Sequence, residues 1–248
     1  MPYQNKNIVY GMPQDAYPRE RVNEHTLDLT AALTLVRKPV GVKFFFDAAA
    51  YDAVEIPEAR AAMPYCVMVR MASEGSGCRS RLTHHKCDGG TTALALEKST
   101  ERIESGEEYF SYQLYASPAA ARRHRSQINS LHREIPVTYG ILVAPLEACT
   151  VAPDVVILIT DAFQAMRLVQ GYSYETGHKP QIDLGAMQGM CSECTAYPYL
   201  SGSMNVSVLC PSTRILCGWS HHDMAVCIPF EQYLRVVAGV MATAGSCK

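Results

Sequence analysis

The stretch PDVVILITDAFQAMRLVQ, residues 153–170, decides the fold class. Residues 155–159 are apolar without a break, which is typical of a strand buried on both faces. Residues 162–170 follow at once and contain mostly good helix formers, so the stretch predicts a strand joined directly to a helix. The chain therefore contains both kinds of element, close together along the sequence.

The same alternation continues on both sides of this stretch. Residues 23–37 predict an amphipathic helix with Asn23 as its cap and Pro39 as its stop, and residues 40–46 alternate like a strand with one face in a core. The further predicted elements are strands at 139–144, 206–209 and 225–228, helices at 91–98, 118–132 and 230–244, and a helix or turn at 190–196. Residues 66–72 form either a short helix, which we favour, or a buried strand. This pattern predicts a mixed α/β or α+β fold, with no strand order specified.

Residues 1–248 are expected to form a single domain, in which a thiol-free first segment, 1–65, precedes a cysteine-rich body, 66–248. Hydrophobic residues make up 48% of the chain and charged residues 19%, which excludes a largely disordered protein. The net charge of −2 argues against a surface built for nucleic acid or anionic lipid. No apolar run approaches the roughly 20 residues of a membrane helix, and residues 1–21 lack the core of a signal peptide, so we expect a cytoplasmic protein.

Ten cysteines are the unusual feature of the composition, and in a reducing compartment they indicate metal ligands or reactive thiols. Cys191 and Cys194 form a two-residue-spaced pair, and Cys210 follows, but no second tight pair completes a zinc ribbon. Cys66 and Cys87 lie farther upstream. Buried cysteines are also common in ordinary cores, so the pattern alone does not separate ligands from core residues.

Glycines surround Cys87, since Gly89 and Gly90 directly precede a helix-forming segment. Glycines at that position let backbone amides approach an anionic group such as a thiolate or a cluster. His85 is two residues away and is a candidate proton donor or ligand, while Lys43 and Arg70 are candidates to orient or protonate a bound molecule. No dinucleotide loop, phosphate loop, HExxH helix or GxSxG elbow occurs in the sequence.

The chain resembles a known family in motifs spread over most of its length. The matching stretches are RKPVGVKF (37–44), CVMVR (66–70), HKCDGG (85–90), APLE (144–147), PDVV (153–156), QAMR (164–167) and VLC (208–210), with Gly177, Cys191, Arg214 and Ile228-Pro229. In these residues it is similar to the proteins grouped as domain of unknown function 169, which are found in anaerobic bacteria and archaea. The resemblance implies that the candidate functional cysteines are Cys66, Cys87, Cys191 and Cys210. It also implies that this chain has further cysteines outside the family's pattern, which are Cys78, Cys149, Cys194, Cys217, Cys227 and Cys247.

Our leading hypothesis is an iron–sulfur protein of anaerobic metabolism with a cubane 4Fe–4S cluster on Cys66, Cys87, Cys191 and either Cys210 or Cys194. Four thiolate ligands favour electron transfer, whereas three leave an iron open as a Lewis acid for a small molecule. The length of the chain favours an enzyme slightly over an electron carrier. Whether the remaining cysteines are ligands stays open.

Two rival hypotheses remain at this stage. One is a zinc-binding structural or interaction protein that uses Cys191 and Cys194. The other is a metal-free thiol enzyme in which Cys87 is the nucleophile and His85 the base. The expected partners are a small-molecule substrate or a redox partner protein, with no nucleic acid and no membrane, and the sequence leaves open whether the chain forms a homo-oligomer.

Overall fold

A computed structural model describes residues 17–133 and 137–245. The strands in this part of the chain are β1 (Val40–Phe45), β2 (Cys78–Ser80), β3 (Gly140–Pro145), β4 (Val155–Thr160), β5 (Asn205–Ser207) and β6 (Met224–Pro229). They form one sheet in the order β2-β3-β1-β4-β6-β5, and every neighbouring pair is antiparallel. The mixed fold predicted from the sequence is confirmed, and the antiparallel sheet selects α+β from the two alternatives.

The α-helices are α1 (Arg19–Leu33), α2 (Ala48–Asp52), α3 (Tyr65–Ser73), α4 (Asp88–Ala93), α5 (Glu101–Glu104), α6 (Glu107–Ser111), α7 (Pro118–Gln127), α8 (Ala162–Ser173), α9 (Tyr197–Ser201), α10 (Pro211–Cys217) and α11 (Phe230–Ala242). Short 3-10 turns lie at Leu82–His84, Leu131–Arg133 and Leu146–Ala148, and a π-helix spans Gly189–Ala196. The helices cover both faces of the sheet.

Side chains alternate between two cores along each central strand, because successive residues of a strand point to opposite faces. In β4, Val155, Ile157 and Ile159 face one core, while Val156 and Leu158 face the other. The first core is covered by α3, α4 and the π-helix, and the second by α1, α8 and α11. The continuous apolar run at residues 155–159 is therefore part of a central strand buried on both sides.

Several element boundaries differ from those predicted. Helix α1 begins after Pro18, so Asn23 lies inside the helix and is not its cap, and it ends because Thr34 adopts a left-handed conformation with φ 53°. Helix α4 spans Asp88–Ala93 and not the predicted 91–98, because Ala95 has a φ of 56° that stops the helix. Strand β2 and helix α10 are short and were not predicted.

Candidate functional site

A cavity of about 290 Å³ opens on the helical layer formed by α3, α4 and the π-helix. Four thiols line it: Cys66, Cys87, Cys191 and Cys210. These residues come from four separate segments of the chain, and three of them are buried, while Cys87 is exposed. The cavity is also lined by charged, polar and apolar residues from the surrounding helices and loops. They include Lys86, Asp88, Gly89, Gly90, Ile103, Glu108, Tyr109, Tyr112, Met187, Gln188, Met190, Thr213 and Leu216.

Each of the four cysteines lies where a helix begins. Cys66 is the second residue of α3, Cys191 is the third residue of the π-helix, and Cys87 and Cys210 directly precede α4 and α10. The first amides of a helix have no partner within the helix and can donate to a nearby thiolate or other anion. Pro64 before α3 and Pro211 at the start of α10 fix these starts, since proline suits the first turn.

Hydrogen bonds connect the sulfur atoms on one side of the cavity. The Thr213 hydroxyl lies 3.0 Å from Cys210 Sγ and also donates to Cys66. The Cys217 thiol donates to Cys66, and this hydrogen bond is the main reason that the pKa of Cys66 falls to about 7, against the opposing effect of burial. Cys66 therefore becomes a thiolate more readily than an ordinary cysteine.

The other thiols are influenced by burial and by one another. Burial raises the pKa of Cys191, and negative charge on Cys87, Cys210 or Cys66 would raise it further. Burial also raises the pKa of Cys87, while the Gly90 amide donates to this sulfur and opposes the rise. The four sulfurs thus form one electrostatically coupled group, in which a bound cation would favour the thiolate forms.

The backbone around Cys191 is unusual. A π-helix of eight residues is rare, and such segments are frequently found at functional sites. Gln188 and Leu209, which flank it in space, have φ angles of 54° and 67°, a conformation that costs energy for residues with a side chain. A Cβ atom on Gly189 would lie 2.7 Å from Leu209 Cα and 2.8 Å from Cys210 N. Glycine at this position therefore allows the segments that carry Cys191 and Cys210 to touch.

Buried polar contacts hold the loop before the π-helix in place. Glu193 Oε1 accepts a hydrogen bond of 2.8 Å from the Gly185 amide, and burial raises the pKa of this carboxyl. Asn205 Nδ2 donates to the backbone oxygens of Asp183 (2.9 Å) and Glu193 (2.8 Å). The loop is thereby attached to β5, and Gln188 at its end is held at the cavity.

Gln188 presents an unsatisfied polar atom at the cavity. Its Nε2 atom donates to the Gly89 carbonyl oxygen at 2.9 Å and to the Tyr109 hydroxyl at 2.7 Å, while Oε1 is buried with no hydrogen-bond partner in the described structure. Buried polar atoms nearly always have a partner, so this atom needs an explanation. Neither Gln188 nor Tyr109 belongs to a recognisable sequence motif, so neither residue was predicted to lie at the site.

The predicted site residues divide into two groups in the structure. Gly89 and Gly90 line the cavity together with Cys66, Cys87, Cys191 and Cys210. Cys194 does not line it: its side chain is fully buried against the sheet, and the Cys227 thiol donates to it. Of the further cysteines, Cys217 lies beside Cys66 whereas Cys78 and Cys149 lie away from the cavity, and Cys247 falls outside the described residues.

The three predicted catalytic side chains lie outside the cavity lining. Lys43 is paired with Asp154 at 2.8 Å, and Arg70 with Glu74 at 3.1 Å. The His85 ring is 3.1 Å from the Ser80 hydroxyl, and burial lowers its pKa to about 4. A direct contact of any of the three with a ligand in this cavity would need a rearrangement.

Within residues 17–133 and 137–245, no three His, Cys, Asp or Glu side chains are arranged around a point where a metal ion could sit. The four thiols line the same cavity, and Cys66 and Cys210 both lie within hydrogen-bond reach of the Thr213 hydroxyl. Nor does any helix in these two ranges combine the length and apolar character that a bilayer crossing demands.

Comparisons with known proteins agree with the resemblance seen in the sequence motifs. The chain is 25% identical over 225 residues to "Uncharacterized protein MJ0308" of Methanocaldococcus jannaschii, covering 88% of this chain and 93% of the relative. No solved structure matches it. The profile of the DUF169 family, described as "Uncharacterised ArCR", matches residues 28–239, a range that contains all four thiols of the cavity. The chain therefore belongs to the DUF169 family, as its motifs predicted.

Proposed function

We propose that Cys66, Cys87, Cys191 and Cys210 hold a 4Fe–4S cluster, and that the protein is a cytoplasmic iron–sulfur protein that acts on a small molecule in a reducing, anaerobic metabolism. One observation carries this proposal: four thiols that lie far apart in the sequence line the same cavity. In a chain with ten cysteines, pairs also meet in the core, as Cys194 and Cys227 do, so the proposal depends on four of them lining one cavity.

The residues present fit such a group in size and charge. A single zinc ion needs four ligands, each about 2.0 to 2.3 Å from one point, whereas a cubane cluster is a larger body whose thiolates bind at separate corners. Thiols from four segments that line a cavity of about 290 Å³ suit the larger body, because each would bind its own corner. The Gly90 amide that donates to Cys87, and the hydroxyl of Thr213 between Cys66 and Cys210, are the kind of donors that stabilise cluster sulfur.

The shape of the cavity favours an enzyme over an electron carrier. Besides the thiols, it is lined by Tyr109, Gln188 and Met187, so it offers room and polar atoms beyond those that hold a cluster. When bound, such a cluster supplies single electrons or, if one iron lacks a protein ligand, a Lewis acid. The protein residues bind and orient the small molecule and keep it away from bulk water.

The test is purification under anaerobic conditions, followed by iron, sulfide and zinc analysis and a visible spectrum. We expect about four irons and four sulfides per chain, as a 4Fe–4S cluster requires, and broad absorption near 400 nm. Replacing Cys66, Cys87, Cys191 or Cys210 by Ser should lower iron content strongly. Stoichiometric zinc in a colourless protein would refute the iron–sulfur proposal.

Two buried cysteines provide matched controls, because they are equally inaccessible but lie away from the cavity. Cys194→Ala and Cys78→Ala should retain the iron content of the unmodified protein. If Cys194→Ala loses iron while Cys210→Ser keeps it, the ligand set that we propose is wrong.

A second candidate is a metal-free thiol enzyme, and one observation favours it: the hydrogen bond from Cys217 that lowers the pKa of Cys66 to about 7. A thiolate at neutral pH is a nucleophile, and a neighbouring thiol is able to resolve a covalent intermediate. Limited alkylation with iodoacetamide distinguishes the two. Rapid labelling of one cysteine in a protein isolated anaerobically without metal would favour the thiol enzyme.

A further inference from the structure

Two helices bring a fifth thiol, that of Cys217, next to one of the cavity cysteines. Helix α10 packs against α3, and Cys217 is the last residue of α10 while Cys66 is the second residue of α3. The Cys217 thiol donates a hydrogen bond directly to the Cys66 sulfur. The two sulfur atoms are therefore neighbours in space although they lie far apart in the sequence.

The spacing of residues along α10 explains why this thiol faces α3. Cys210, Thr213 and Cys217 follow one another at intervals of three and four residues, which places them on one face of the helix. All three are buried. The Thr213 hydroxyl lies 3.0 Å from Cys210 Sγ and also donates to Cys66. Cys210 thus shares a hydroxyl with Cys66, whereas Cys217 contacts the Cys66 sulfur directly.

Cys66 and Cys217 differ in their access to the cavity. Cys66 lines the cavity and is 9% exposed, whereas Cys217 does not line it and is 1% exposed. A small oxidant that enters the cavity therefore meets Cys66 before it meets Cys217. Oxidation-sensitive thiol pairs have this arrangement, in which one cysteine reacts and a neighbouring cysteine resolves the product.

We propose that Cys66 and Cys217 are a peroxide-reactive thiol pair, which closes into a reversible disulfide when the cavity holds no cluster. The Cys66 thiolate attacks one oxygen of hydrogen peroxide, the O–O bond breaks, and Cys66 becomes a sulfenic acid. The hydroxide that leaves takes up the proton that Cys66 had released. The Cys217 sulfur then attacks the sulfenic sulfur, an S–S bond forms, and the sulfenic oxygen leaves as water. Two thiols thereby lose two electrons to one peroxide, which becomes two water molecules.

The disulfide would act on the proposed cluster site, and in this respect the inference rests on the proposed function. A disulfide sulfur is not a thiolate, so the closed pair withholds Cys66 from the ligand set. The closed pair also protects Cys66, because an unresolved sulfenic acid proceeds to sulfinic acid, which thiol reductants do not reverse. Reduction of the disulfide restores both thiols. Cys217 thus preserves the site through an episode of oxidation.

Peptide mapping of the full-length, metal-free, reduced protein tests the pair. The protein is treated with a small excess of hydrogen peroxide at about pH 8, where an ordinary thiol is already partly ionised. The remaining thiols are alkylated, and linked peptides are identified by mass spectrometry. We expect a disulfide between Cys66 and Cys217 as the main linkage within the chain, removed by dithiothreitol. A main linkage within the chain that joins a different pair, or Cys66 recovered as a free thiol, would overturn the proposal.

Cys194 and Cys227 provide a matched comparison in the same molecule. Cys227 donates to Cys194 as Cys217 does to Cys66, but Cys194 and Cys227 are fully buried and neither lines the cavity. This second pair should stay reduced under the conditions that link Cys66 to Cys217. An equal yield of both disulfides would show that contact between thiols decides the reaction, and would overturn the role that we assign to the cavity.

The variant Cys217→Ala tests the resolving role. Without the second thiol, peroxide should carry Cys66 on to sulfinic acid, seen as a mass increase of its peptide that dithiothreitol does not reverse. Cys78→Ala is the control, since Cys78 is buried and does not line the cavity, and it should form the disulfide as the unmodified protein does. Full recovery of Cys66 by dithiothreitol in Cys217→Ala would overturn the resolving role.

Iron content after reloading separates this inference from the proposed function. Unmodified protein that is oxidised, reduced and then reloaded anaerobically with iron and sulfide should regain its iron. Oxidised Cys217→Ala should regain much less, because a sulfinic acid is not a thiolate ligand. A protein that forms the disulfide but never holds iron refutes the cluster and leaves the thiol pair. A protein that holds the cluster but does not form the disulfide refutes the pair and leaves the cluster.

Discussion

Replacing Gly189 by Ala tests whether the close contact between the π-helix and Cys210 sets the separation of the thiols. The added Cβ would lie 2.7 Å from Leu209 Cα and 2.8 Å from both Leu209 C and Cys210 N. These are backbone atoms, so no side-chain rotation relieves the contact, and one segment must move by about 0.7 Å to reach an ordinary distance of 3.4 Å. Overpacking of this kind costs about 1 to 3 kcal/mol, while alanine gains about 1 kcal/mol in helix propensity.

The net expectation is a loss of up to about 2 kcal/mol in the free energy of unfolding, or up to roughly 8 °C in Tm for a chain of this size. Metal sites tolerate errors of about 0.2 Å in ligand distances, so a displacement of 0.7 Å between Cys191 and Cys210 should also lower iron content. Tm is measured on metal-free, reduced protein, and iron after anaerobic purification.

Gly245→Ala is the control, because a Cβ there meets no atom within 4 Å. A Gly189→Ala protein with the Tm and iron content of the unmodified protein would refute the reasoning. A lower Tm with unchanged iron would show that the contact matters for packing alone, and would overturn its assigned role in placing the thiols.

Three further predictions concern other parts of the fold. Arg125 is fully buried and pairs with Glu104 at 2.6 Å. Arg125→Met should therefore lower the free energy of unfolding, measured by denaturant titration, by about 3 kcal/mol. An unchanged free energy of unfolding would mean that the ion pair contributes nothing to stability. Gly239→Ala places a Cβ against the backbone of Gly171 where α8 and α11 cross. It should lower the free energy of unfolding by about 1 to 3 kcal/mol in the same titration. An unchanged denaturation midpoint would contradict such a close crossing of the two helices. Burial lowers the pKa of His85 from 6.5 to about 4, so the unfolded chain binds a proton at this residue at a higher pH than the folded protein does. The free energy of unfolding should therefore fall by about 1 to 3 kcal/mol as the pH drops from 6.5 to 4. The variant His85→Gln should show a smaller fall over that range, and an equal fall would exclude His85 as its source.

The fold class could be predicted from the sequence because the central strands have recognisable local patterns of apolar residues. Residues Val40, Val42 and Phe44 alternate as expected and share one core. The order of the strands could not be predicted, because β1 pairs with β3 on one side and β4 on the other. Both pairings join residues that are more than 90 positions apart in the sequence. Helix α10 escaped notice because its seven residues are too few to show a period.

The candidate site was predictable only in part, for reasons of geometry. Cysteine identity and the glycines after Cys87 were visible, and the structure brings four of the five proposed ligands to one cavity. The sequence alone could not show which side of the strand a candidate side chain occupies: Lys43 lies between Val42 and Phe44, and a strand sends neighbouring residues to opposite faces. Gln188 gave no signal, because its placement depends on a left-handed backbone at a residue that is not glycine.

If the four cavity thiols hold the proposed cluster, they also determine when it can be built during synthesis. Cys66 and Cys87 leave the ribosome long before Cys191 and Cys210, and β5 and α10 must dock before the last thiol is in position. A half-made chain has two of the four sulfurs and no closed cavity around them. The proposed cluster could therefore be completed only after the segment that carries Cys210 has been made and has docked, and Cys87 is the one of the four thiols that is exposed to solvent.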